Sequence, residues 1–66
     1  MFTVISIYKY AQDSVKSLDN GEKMCEYVRE EFEHFDARQV IVIDRGREDV
    51  YDSYEEFQED WGSDEH

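Results

Sequence analysis

The clearest pattern along the chain lies near its end. Between Glu48 and Trp61, the residues Val50, Tyr54, Phe57 and Trp61 recur at i, i+4, i+7 and i+11. That is one apolar stripe at helical spacing, and every charged residue between its members is acidic. Two starts for the helix compete. It could begin near Glu48, or Glu48–Asp52 could return as a short hairpin strand after the turn Arg45-Gly46-Arg47. Ser53-Tyr54-Glu55-Glu56 carries the Ser and Glu of a capping box, which favours a hairpin and then a helix from Ser53. The stripe is then Tyr54, Phe57 and Trp61, Gly62 ends the helix at C′, and Ser63–His66 reads as a frayed acidic tail.

Phe2–Lys9 (FTVISIYK) is rich in β-branched and aromatic residues and reads as a strand, with Ile5 and Ile7 expected to face the core. Tyr10–Ser17 is polar and reads as a loop that could carry a helical turn. Leu18–Phe35 is predicted as a helix, with Leu18, Cys25, Val28, Phe32 and Phe35 on one face, Met24 beside them, and Ser17 or Asn20 as N-cap. Arg38–Asp44 (RQVIVID) gives the next strand. Its four consecutive β-branched residues suggest a strand covered on both faces or central to the sheet. Strand, helix, strand in this order predicts a crossover between parallel strands. The expected architecture is a single α+β domain over residues 1–62, strand–helix–strand–(strand)–helix, with the sheet packed by two acidic amphipathic helices. No internal sequence repeat is evident.

Size limits how such a domain can be stabilised. The 66 residues allow one small core, and the single Cys25 rules out an internal disulfide. A structural zinc site needs four Cys or His ligands, whereas the chain has Cys25, His34 and His66. Ten aromatic residues are many for so small a core, so some are expected at the surface or in an interface, and a homodimer is expected. Eighteen acids against seven bases give a net charge of −11, which favours solubility and repels both nucleic acid and anionic bilayers. No secretory signal or membrane-spanning run is recognisable, so a cytoplasmic location is expected.

The chemistry of catalysis is hard to assemble from these residues. His34 lies between Glu33 and Phe35 with no nucleophile in view, and Cys25 falls on the apolar stripe with nothing nearby to lower its pKa. No segment matches an EF-hand loop, and Glu59, Asp60, Asp64 and Glu65 could bind divalent ions only weakly. A phosphate site at Asp44-Arg45-Gly46-Arg47 is rejected because the surrounding charge repels anions. No enzyme activity, cofactor or metal is expected.

What remains is the acidic surface. Glu48, Asp49, Asp52, Glu55, Glu56, Glu59 and Asp60 lie in the final segment, and Glu26, Glu30, Glu31 and Glu33 lie on the first helix. Carboxylates three and four apart on a helix are roughly 5–6 Å apart between Cβ atoms, comparable with the charge spacing of ~3.4 Å per strand along DNA. A protein that binds DNA nonspecifically reads mainly the position and density of negative charge. Tyr51 and Trp61, if exposed, could add short-range contacts. The stretches CEYVREEFEHFD and EDVYDSYEEFQEDWGSDE resemble the aromatic-laced acidic helices of small DNA-mimic host-takeover proteins of lytic bacteriophages, nearest those that inhibit the nucleoid protein HU. The resemblance is one of size and charge, without a shared motif. It implies that the chain blocks DNA binding by a basic host protein; the residues expected to do so, from the charge pattern, are those eleven carboxylates, with no direct contact to nucleic acid. Two alternatives stand beside it: inhibition of a nuclease, restriction or CRISPR-type defence complex by the same surface, or a plain adaptor that binds through the aromatic stripe.

Overall fold

A computed structural model describes residues 1–62. The tail expected at Ser63–His66, with Asp64 and Glu65, lies outside the described residues. The elements are β1 (Phe2–Ile7), β2 (Ser14–Leu18), α1 (Gly21–Glu33), β3 (Gln39–Asp44), β4 (Arg47–Tyr51) and α2 (Tyr54–Trp61). The four strands form one antiparallel sheet in the order β2-β1-β3-β4. This is an α+β architecture with strand, strand, helix traversed twice. The two N-caps, Asn20 and Ser53, each stand four residues before a buried side chain of their helix, Met24 and Phe57.

The parallel crossover predicted from strand, helix, strand is corrected here. Ser14–Leu18, read as loop or lost in the first helix, is an edge strand paired to β1 with Ile5 opposite Val15. The hairpin reverses the chain before α1, so β3 returns antiparallel to β1, with Val4 opposite Val42. Val40–Ile43 is central to the sheet, as its composition suggested, but no described element packs on the second face.

Strand alternation assigns the two faces. Val4, Ser6, Val40, Val42 and Tyr51 are buried beneath the helices. Ile5 and Ile7, expected in the core, point to the opposite face and are only partly covered. Both faces of β1 are apolar enough to serve, and the choice falls to the one that brings Phe2 and Tyr8 against the helices.

The helices start where their caps allow. Asn20 Oδ1 accepts the Lys23 N–H at 2.8 Å, which sets the first residue of α1 at Gly21. Leu18 therefore belongs to β2. The buried stripe of α1 is Met24, Val28 and Glu31, flanked by half-buried Cys25, Tyr27 and Phe32, and Phe35 lies beyond the helix and is 60% exposed. At the other helix, Ser53 Oγ accepts from the Glu56 N–H at 3.3 Å and Glu56 Oε1 accepts from the Asp52 N–H at 3.1 Å. The hairpin is thus present, and so is the capping pair of Ser53 and Glu56, with Glu56 reaching one residue beyond the N-cap to the Asp52 N–H. The hairpin turns on Arg45 and Gly46, both left-handed (φ 55° and 83°), which is the type I′ geometry that matches strand twist. Gly62 caps α2 in a right-handed conformation (φ −93°), not the left-handed one expected of a C′ glycine.

Candidate functional site: the acidic helical layer

Charge is sorted between the two layers. α1 and α2 together hold nine acids and two bases, a net of −7. The four strands hold three acids (Asp44, Glu48, Asp49) and two bases (Lys16, Arg47). The helices pack against each other on the same side of the sheet, so their outward carboxylates share one side of the molecule.

α2 is the purer of the two. It carries Glu55, Glu56, Glu59 and Asp60 with no base. Its aromatic stripe turns inward: Phe57 is 2% exposed, and its ring lies 5.3 Å from that of Tyr51, 6.0 Å from Tyr54 and 6.2 Å from Trp61. Trp61 also meets Phe2 edge-on at 5.8 Å. The contacts that Tyr51 and Trp61 were expected to offer a partner are used within the fold. Tyr51 is 4% exposed; its hydroxyl donates to Asp60 Oδ2 at 2.9 Å and accepts from Trp61 Nε1 at 3.0 Å. Burial first, and the Asp60 carboxylate second, push the Tyr51 phenol up to about 12.

The predicted acids fall into distinct environments. Glu26, Glu30 and Glu33 are exposed on α1, although Arg29 Nε lies 3.2 Å from Glu33 and His34 lies 3.8 Å from Glu30. Exposed pairs of this kind contribute little to stability. Glu55 and Glu59 are exposed and have no hydrogen-bond or salt-bridge partner among the described residues. Glu56 is also exposed but caps its own helix, and Asp60 is held by Tyr51. Asp52 accepts from Gln39 Nε2 at 2.8 Å, and Asp49 is half-buried with Arg47 Nε 3.4 Å away. Glu48 points to the other face of the sheet, because it alternates with Asp49 along β4.

Glu31 departs furthest from the expected surface. It is 4% exposed, and its Oε1 accepts a hydrogen bond from the Tyr8 hydroxyl. The signal was present in the spacing: Met24, Val28 and Glu31 fall at i, i+4 and i+7, which places the carboxylate on the buried stripe. Burial and then this hydrogen bond push the Tyr8 phenol up to about 12. Ser6, on the strand that leads into Tyr8, is buried nearby.

His34 is exposed at the end of α1, and no group of three or more His, Cys, Asp or Glu suited to a metal ion occurs among the described residues. No described helix is long and apolar enough to cross a membrane. A surface cleft of about 660 Å³ is lined by Tyr8, Lys9, Tyr10, Phe35, Arg38 and Asp52. Comparison of the chain with protein-family models, with curated proteins and with solved structures gives no match.

Proposed function

We propose that the protein is a non-catalytic DNA mimic, acting in the bacterial cytoplasm, whose helical layer occupies the DNA-binding surface of a basic protein. The observation that carries this reading is the sorting of charge: nine acids against two bases on two adjacent helices, while the strands are nearly balanced. Solubility needs no such sorting, and mixed charges on each helix would favour the helices more through i,i+4 pairs. The working residues are Glu55 and Glu59 on α2 with Glu26, Glu30 and Glu33 on α1, supported at the margin by Glu56, Asp52 and Asp60. A target that reads backbone charge with little sequence dependence, as nucleoid architectural proteins of the HU type do, is the most open to such a competitor.

The aromatic stripe is a poor alternative interface, since Phe57 and Tyr51 are buried. The test is displacement of a fluorescent DNA duplex from purified HU, followed by anisotropy. The protein should displace the duplex, and Glu55→Lys with Glu59→Lys should abolish displacement while leaving the circular dichroism spectrum unchanged. Those two positions are chosen because neither holds the fold, whereas Glu56 does. Displacement unaffected by the two reversals would overturn the reading.

A further inference from the structure

The second face of the sheet is the part of the molecule that its charge leaves alone. Strand register places Val15, Ile5, Ile41 and Val50 in one row across all four strands. The next row is Ser17, Thr3, Ile43 and Glu48, and Ile7 stands beside Gln39. Val15 is 65% exposed and Val50 50%. Six aliphatic side chains thus form a patch on which no described element packs, on a chain of net charge −11, with Glu48 as the one acid in the first two rows and Asp52 held by Gln39 at the end of the third. Contiguous apolar patches on soluble proteins mark interaction sites more often than accident.

We infer that this face pairs with the same face of a second copy, giving a two-fold dimer with the sheets back to back and the acidic helices outermost. The occupant follows from charge and from the row itself. Two chains of this charge repel through their helical layers, whereas this face can approach its own kind. Face-to-face sheets lie ~10 Å apart, so the two helical layers stay separated by more than the ~8 Å screening length at physiological salt. The row reads Val, Ile, Ile, Val from edge to edge. A second copy turned over about an axis parallel to the strands sets Val15 over the partner's Val50 and Ile5 over the partner's Ile41, in the aligned packing of β-sandwiches. The same turn sets Glu48 over the partner's Ser17 and away from the partner's Glu48. Four strands at ~4.8 Å and five residues at ~3.3 Å give a footprint of roughly 300 Å² per copy, well under the ~800 Å² of a standard interface. The dimer should therefore be weak, forming as the protein concentration rises.

The dimer does not depend on the DNA-mimic reading, and its test uses no DNA-binding protein. Sedimentation equilibrium of the full chain from about 1 µM to 1 mM should show 8.0 kDa monomers passing to species of twice that mass. Val15→Lys or Val50→Glu alone should weaken association by roughly tenfold or more, since each buries an unpaired charge against an aliphatic residue. The double variant V15K/V50E should recover it, because each introduced lysine then lies over the partner's introduced glutamate. Both positions are exposed in the monomer, so the variants should fold, and circular dichroism checks that they do. Monomers throughout the concentration range, or association that neither single substitution weakens, would overturn the proposal. Failure of the double variant to recover would overturn the axis along the strands.

Discussion

Removing the Glu31 carboxylate separates an acid that holds the fold from the acids that face outward. In Glu31→Ala the side chain loses one largely buried methylene, worth ~0.8 kcal/mol. It also loses the hydrogen bond from Tyr8, in the range of ~1.5–3 kcal/mol for a charged acceptor. Against these stand relief of the buried charge and the better helix propensity of alanine, the latter ~0.4 kcal/mol. The balance is a destabilisation of about 2 kcal/mol, against a total of roughly 3–10 kcal/mol for a domain of this length. At ~4–8 °C per kcal/mol, the melting temperature should fall by roughly 8–16 °C. Glu30→Ala, one residue away with its side chain 55% exposed, should stay within ~0.5 kcal/mol of the parent. Urea and thermal unfolding followed by circular dichroism measure both. Equal stability of the two variants would refute the buried role of Glu31 and return it to the outward row.

Two further outcomes follow from other contacts. Ser53→Ala removes the acceptor for the Glu56 N–H and should cost ~1 kcal/mol, read as a lower urea midpoint at unchanged slope; no loss would mean that the capping pair does not hold α2. In alkali, Tyr8 and Tyr51 keep their protons in the folded state up to about 12, whereas the unfolded chain releases them near the ordinary value of about 10. Between those values the unfolded state binds fewer protons, so stability should fall as pH rises from 10 toward 12 and be intact below that window. Urea midpoints measured across that range should fall steeply in the parent and less steeply in the double variant Tyr8→Phe/Tyr51→Phe; parallel slopes would deny the two phenols their part.

The readable parts of the chain were those where local chemistry and periodicity agreed. The β3–β4 hairpin and α2 could be placed because Gly46 permits the turn and Ser53 with Glu56 marks the helix start. β2 could not, because Ser14–Leu18 has only Val15 and Leu18 as apolar residues, on opposite faces, and its strand character comes from pairing with β1. That omission alone reverses the strand direction of the fold. The faces of β1 were ambiguous for a related reason: a period of two says that the faces differ but not which is inside when both are apolar. Among the candidate acids, charge was legible and position was not. Glu31 belonged to the buried stripe by its spacing, but a carboxylate there becomes plausible only with a donor such as Tyr8, 23 positions away in sequence.

The central claim, that the outward carboxylates stand in for DNA, is tested most directly by affinity capture under competition. The immobilised protein is exposed to bacterial lysate, eluted with a salt gradient, and the retained proteins are identified by mass spectrometry, with and without added duplex DNA. The account predicts retention of basic DNA-binding proteins that elute at moderate salt and are displaced by the duplex. Retention of proteins that are neither basic nor displaced by DNA would contradict it and reduce the acidic layer to a solvated surface.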